Sequence, residues 1–191
     1  MVRNGETDEI VASTRLLPGT KIAEAGGFYS ESEFDLGNIK KLDGRILEVG
    51  RTCVDPAFRS GAAIAVLWSG LANYISLHGF DYLCGCASID LEDNGVRAAA
   101  IMKKLRQQAM IDEEYRVTPS KNLPHTDADS NVTAAMPPLL KAYIRLGAKV
   151  CGEPCWDPDF NVADVFILVK LSELDPTYAR HFLGSERIPP R

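Results

Sequence analysis

Long apolar runs are missing from these 191 residues. No stretch approaches the ~20 residues needed to cross a bilayer, and the opening Met1-Val2-Arg3-Asn4-Gly5-Glu6 is too polar for a secretory leader. The expectation is a cytoplasmic protein that meets membranes, if at all, from the surface of the inner face. Basic charge is also in short supply. Lys and Arg total 21 against 26 Asp and Glu, a net charge of -5, which argues against a nucleic-acid binder working by phosphate neutralisation. The cluster Arg97, Lys103, Lys104 and Arg106 reads as a solvated helix face. The cysteines, Cys53, Cys84, Cys86, Cys151 and Cys155, are odd in number and fit no standard zinc spacing, so neither a disulfide framework nor a metal centre is expected. A Gly-x-Ser-x-Gly elbow is absent, which removes the Ser-His-Asp hydrolases that depend on it. Internal repeats and low-complexity segments are lacking too.

What is present is an ordinary globular mixture, 46% hydrophobic and 25% charged, enough for one packed core. A single domain over 1–184 is expected, with a flexible tail over 185–191. Alternating apolar residues predict strands over 9–17 and 45–54, and a nearly continuous apolar run predicts a strand buried on both faces over 81–89. Helical spacing of Ile64, Leu67, Trp68, Leu71 and Ile75 predicts a helix over 60–78 that stops at Gly79. Strand, helix, strand in this order implies a parallel crossover. Further helices are expected over 94–110, 138–146 and 176–183. Strands are expected over 115–118, 149–152 and 162–171, with a polar loop over 119–133 as a candidate lid. The segment 26–43 reads as polar, turn-rich and surface-like, though Phe28, Tyr29 and Phe34 must pack somewhere.

Two ionisable residues stand inside a predicted strand, where charge is uncommon unless it is paired or lines a site: Glu48 and Arg51. Three positions apart, they point to opposite faces unless a bulge near Gly50 brings them together. A structural ion pair is an equal reading of the residues alone. Arg59-Ser60-Gly61-Ala62 then precedes a helix, so small residues expose backbone N–H groups at its positive end, where a phosphate can sit. Asp35, with Glu31 and Glu33, suits a cationic acceptor or merely a solvated loop. Asp164 lies within an apolar strand, where structure and function are both open readings. His78 suits a helix terminus, while His125 and His181 have no partner implied by sequence.

Thr14-Arg15-Leu16-Leu17-Pro18, the spacing of Glu48-Val49-Gly50-Arg51 and the glycine-containing turn after it resemble the acyl-homoserine-lactone synthases of the acetyltransferase-like superfold. The strings 26–35, 50–59, 82–88, 137–148, 160–165 and 178–183 are similar, in order, to the ornithine N-acyltransferases of ornithine-lipid synthesis. The resemblance implies a mixed α/β fold: a central, mostly antiparallel twisted sheet with one parallel splayed strand pair, flanked by helices. It implies an acyltransferase that moves a 3-hydroxyacyl group from acyl carrier protein to the α-amine of ornithine, giving lyso-ornithine lipid. No cofactor is held permanently, since the donor is acyl-phosphopantetheine on its carrier, and the turn at 59–64 departs from the coenzyme A loop. Glu48 is then the expected base and Arg51 an anchor. Arg59, Ser60, Gly61, Ala62, Cys86, Ala87 and Ser88 are expected on the donor side, and Arg15, Asp35 and Asp164 on the acceptor side. Another acceptor amino acid, or a catalytically silent binding module, are the alternatives. Such enzymes place a helical segment before the first strand, where this sequence has only eight residues, so the chain is expected to be N-terminally short.

Overall fold

The computed structural model describes residues 1–124 and 132–174. In chain order the elements are β1 (Val2–Arg3), β2 (Ile10–Pro18), α1 (Ile22–Ala25), β3 (Phe34–Asp35), β4 (Ile46–Val54), α2 (Ala62–His78), β5 (Tyr82–Asp90) and α3 (Val96–Gln108). There follow β6 (Thr118–Pro119), α4 (Pro138–Leu146), β7 (Lys149–Val150), β8 (Cys155–Asp157) and β9 (Val162–Lys170). One sheet runs β1-β2-β4-β5-β9-β7, with β8 also on β9; a small second sheet pairs β3 with β6. Every pairing between these strands is antiparallel save β4 with β5, and an isolated parallel bridge joins Met110 to Val150. This is the mostly antiparallel sheet with one parallel pair that the sequence implied.

The two faces of the sheet are set by the period-2 alternation of side chains. From β5 and β9, Ala87, Ile89, Ala163, Val165 and Ile167 pack with Ala98, Ile101, Met102 and Leu105 of α3 and with Leu140 of α4. Leu47 of β4 joins Leu71 and Ile75 of α2 on this helical side. Helix α2 ends at Gly79, whose φ of +63 supplies the left-handed cap that its position after His78 suggested. On the opposite side Cys84, Phe166 and Leu168 meet Phe28, Phe34, Leu36 and Ile39. Segment 26–43 is thus not a surface stretch. Its apolar residues lack a period because it is built of short 3-10 turns and one two-residue strand, yet they close half of the core.

Two other differences from the sequence reading are small and have physical causes. The short strand falls at Thr118–Pro119, opposite Phe34–Asp35, whereas Glu113–Tyr115 forms a 3-10 turn. Strands β1 and β8 and helix α1 are two to four residues long, too short for periodicity to reveal. The expected helix over 176–183, the tail and both His125 and His181 lie outside the described residues. Among those described, no helix is long and apolar enough to cross a membrane.

The parallel pair positions the site. Strands β4 and β5 align at Ile46 with Tyr82, Leu47 with Leu83 and Glu48 with Cys84, and there the pairing stops. Beyond that point β4 continues on β2 and β5 on β9, so the sheet forks between Val49 and Gly85. At the crotch the chains approach so closely that a Cβ on Gly85 would lie 2.2 Å from the Val49 carbonyl oxygen. Backbone must move to accept it. Gly85→Ala is therefore expected to lower stability by about 1–3 kcal/mol, the usual cost of overpacking, read from the urea midpoint at unchanged m value.

Candidate functional site

Glu48 is the first residue below the fork, on the face opposite the helices, and its side chain is 3% exposed. A carboxylate so buried needs partners. The turn at Tyr29–Ser30 provides them: Tyr29 N–H donates to Oε2 at 2.8 Å, Ser30 N–H to Oε1 at 2.9 Å and Ser30 Oγ to Oε1 at 2.7 Å. Arg15 Nη2 lies 3.8 Å from Oε2. The turn is held in place by Glu31, which accepts the Phe28 N–H at 2.8 Å and pairs with Lys40 at 2.7 Å. The Lys40 ammonium keeps the Glu31 carboxyl below its ordinary value.

Arg51 does not point away from Glu48. Ser13 pairs with Cys53 and Arg15 with Gly50, so Arg51 and Thr52 stand against Thr14 alone. This is a β-bulge, and Arg51 takes the left-handed φ of +50 that it demands. The extra residue restores the face that three positions of alternation would have lost. The bulge falls one residue beyond Gly50. Arg51 Nη1 donates to Tyr29 Oη at 3.2 Å, and the guanidinium carbons of Arg15 and Arg51 lie 4.9 and 5.3 Å from the Tyr29 ring centre. One aromatic ring thus carries two cations, and its backbone holds Glu48.

The opposite wall of this pocket is acidic. Carboxylate oxygens of Glu33, Asp157 and Asp164 lie within 4.8 Å of one another. Asp164 is 5% exposed and its Oδ1 accepts the Ser88 hydroxyl at 2.5 Å. Burial raises the Asp164 carboxyl above its ordinary value, opposed by Ser88 and aided by the charge of Asp157. Glu33 is pushed up to about 7, mainly by burial and then by Asp164, with the Cys86 thiol opposing the rise as a nearby donor, and its Oε2 is buried without a hydrogen bond of its own. Cys86 reaches Ser30 Oγ at 3.5 Å, and burial raises its thiol well above the ordinary range.

Val49, Gly85 and Cys86 border this pocket and also a second space on the helical side. That space is narrow, about 40 Å3, walled by Trp68, Leu71, Tyr143, Leu146 and Ile167, and overwhelmingly apolar. Trp68 and Leu146 in turn border an open groove between α2 and α4 whose rim carries Lys141 and Arg145. The fork therefore has an acidic side and an oily side, with Val49, Gly85 and Cys86 between them.

Of the residues singled out in the sequence, the structure gathers Arg15, Glu48, Arg51, Cys86, Ser88 and Asp164 around one pocket. Ser88, expected on the donor side, donates its hydroxyl to Asp164. Ala87 faces the helical core, as alternation requires. Asp35 is exposed on β3, where its Oδ1 accepts the Gly37 N–H, away from the pocket. Arg59, Ser60 and Gly61 precede α2 and Ala62 opens it, all outside this pocket; Gly61 is the N-cap at φ +104, without a side-chain cap, and Arg59 Nε donates to Val54 O at 3.3 Å. Sequence reasoning missed Asp157 and Tyr29. Asp157 sits in a three-residue strand, and only the order of pairing on β9 places it opposite Val162, near Asp164.

Residues 1–69 match the family described as acetyltransferase (GNAT) domain. Curated relatives share most of the chain. An L-ornithine N(alpha)-acyltransferase from Rhodobacter capsulatus is 36% identical over 173 residues, covering 86% of this chain and 65% of the relative. Those of Brucella abortus, at 32% over 190 residues, and Rhizobium meliloti, at 31% over 188 residues, cover 95% and 92% of this chain and 67% and 62% of their own lengths. The chain thus spans about two thirds of the length of these relatives. No solved structure matches it.

The raised Glu33 carboxyl has a consequence for stability. Between the ordinary value of 4.5 and about 7 the folded state binds the proton more tightly than the unfolded chain does. Its contribution is present below pH 4.5 and is lost as pH rises to about 7. Glu33→Gln should therefore gain stability relative to the parent on going from pH 5 to pH 8, as read by urea unfolding at both.

Proposed function

The chain belongs to the family of L-ornithine N(alpha)-acyltransferases, and on that premise we propose that it forms an amide between an acyl group and the α-amine of ornithine. The observation that carries this reading is the fork with chemically opposite sides. Ornithine, with two ammonium groups and one carboxylate, suits the acidic pocket and its two arginines. An acyl thioester, uncharged and mostly hydrocarbon, suits the apolar space behind. Only at Val49, Gly85 and Cys86 do the two spaces share walls. The amine and the thioester carbon would meet there.

In this reading Arg15 and Arg51, fixed on Tyr29, hold the α-carboxylate, while Asp157 and Asp164 hold the side-chain ammonium. Glu48 keeps that assembly in place from beneath. The donor is 3-hydroxyacyl-acyl carrier protein. Its phosphopantetheine arm enters between α2 and α4, and its amides pair with strand edges that the fork leaves open. With Arg51 drawn to the acceptor pocket, the phosphate falls to Arg59 and to the uncapped N–H groups at the start of α2. The amine nitrogen attacks the thioester carbon, and backbone N–H groups at the fork receive the oxyanion. The product is a lyso-ornithine lipid, whose acyl chain favours release at the inner face of the membrane. No step needs a permanently bound cofactor.

The test is product analysis. Purified protein, in its longest natural form, is incubated with 3-hydroxyacyl-acyl carrier protein or the corresponding coenzyme A thioester, and with ornithine, lysine, glycine or tyrosine. Acyl-ornithine from the carrier-bound donor is expected, and absence of any acyl-ornithine sinks the reading. Asp157→Asn should raise the KM for ornithine about tenfold, or about 1.4 kcal/mol of binding, with a smaller effect on kcat.

A further inference from the structure

An ornithine amine is a nucleophile only after losing a proton, and Glu48 is poorly placed to take one. Both its oxygens already accept hydrogen bonds, from Tyr29 N–H, Ser30 N–H and Ser30 Oγ, and Arg15 stands beside them. A proton arriving there would have to displace donors that hold the pocket together. A second carboxylate on the same pocket has the opposite character. Glu33 Oε2 is buried and accepts no hydrogen bond, although the residue lines the space that Cys86 and Gly85 of the fork also line. An unpartnered buried carboxylate oxygen is costly in a finished fold. It is accounted for when a ligand brings the donor.

Building on the amide-forming reading above, we infer that Glu33 is the general base that takes the proton from the ornithine α-amine, and that Glu48 is a positioning residue. The groups around Glu33 are Asp164 from β9, Asp157 from β8, Cys86 from β5 and Glu48 from β4, with Arg15, Arg51 and Tyr29 across the pocket. The nearest charges are anionic. Burial and those anions hold the Glu33 carboxyl near 7, where it is ionised in part at neutral pH and still basic enough to accept a proton. In the reaction the amine nitrogen forms the N–C bond and the C–S bond breaks. Ornithine binds as the ammonium, whose first proton passes to the Glu33 carboxylate and on to solvent; after attack, the second nitrogen proton passes through Glu33 to the departing pantetheine thiolate, so the residue ends as it began and one proton is released.

The experiment is a pH–rate profile of kcat for the parent protein, Glu33→Gln and Glu33→Asp, each with 3-hydroxyacyl-acyl carrier protein and ornithine. The parent should show an acid limb near neutrality. Glu33→Gln should lose that limb and fall about 10²–10⁴-fold in kcat with a lesser change in KM, while Glu33→Asp keeps a limb at a lower rate. An α-aminooxy analogue of ornithine, whose nitrogen is unprotonated at neutral pH, should narrow the gap between parent and Glu33→Gln by about tenfold or more. A merely structural Glu33 would give no such rescue. Parent activity with a Glu33→Gln variant that keeps both the rate and the acid limb overturns the inference and leaves the amide-forming reading intact. A parent that makes no acyl-ornithine overturns the reading itself. Should Glu33→Gln fail to fold, the Asp variant decides: an acid limb identical in position and rate to the parent's overturns the assignment.

Discussion

Everything on the pocket face hangs from the buried carboxylate of Glu48. It sits where β4 leaves β5, and the turn 18 residues earlier wraps two backbone N–H groups and a hydroxyl around it. Burial of an ionised group is tolerated only with such a complement, and removal of one partner of a buried charge typically costs about 3–5 kcal/mol. The interaction does more than stabilise. By fixing Tyr29 it sets where two guanidinium groups rest, and by fixing Ser30 it sets where the chain runs on to Glu33 and Phe34. A loop without periodicity becomes a rigid wall.

The fork is the second constraint, and it depends on backbone rather than on side chains. A parallel pair that stopped for want of residues would simply fray. Here each strand has another partner, β2 for β4 and β9 for β5, so the two can part without leaving the sheet. Gly85 allows the strands to touch just before they separate. The apolar side is then lined by residues whose alternation already faced the helices, and the polar side by Cys86, Ser88 and Asp164, which faced the other way. The chemical contrast across the fork is thus a direct result of period-2 geometry.

Much of the scaffold was legible in the sequence because its elements are long and periodic. Strand β4 and helix α2 show a periodic pattern that selects a face, while β5 and β9 are apolar runs that mark strands buried on both faces. Glu48 and Arg51 were legible as charges out of place. Their mutual arrangement was not, because alternation puts residues three apart on opposite faces, and only the pairing with Thr14 reveals the inserted residue. In segment 26–43 the need for Phe28 and Phe34 to pack is legible but the depth of burial is not, because 3-10 turns bury these residues and Ile39 without leaving a period to detect. The acidic wall was half visible. Asp164 stood out in an apolar strand, and Glu33 was named beside Asp35 and Glu31 in the polar segment, whereas nothing in the sequence marks Asp157, which long-range pairing alone brings to the pocket.

The bulge at Arg51 has an energetic meaning of its own. A non-glycine residue held in the left-handed region costs on the order of 1–3 kcal/mol, and here it is held there within an otherwise extended strand. Two positions away from Cys53, which pairs normally, the backbone would relax if either the register or the residue changed. Local preference and global arrangement therefore disagree at one residue. Such frustration, confined to a single position of a nine-residue strand, marks where folding and chemistry make different demands on this chain.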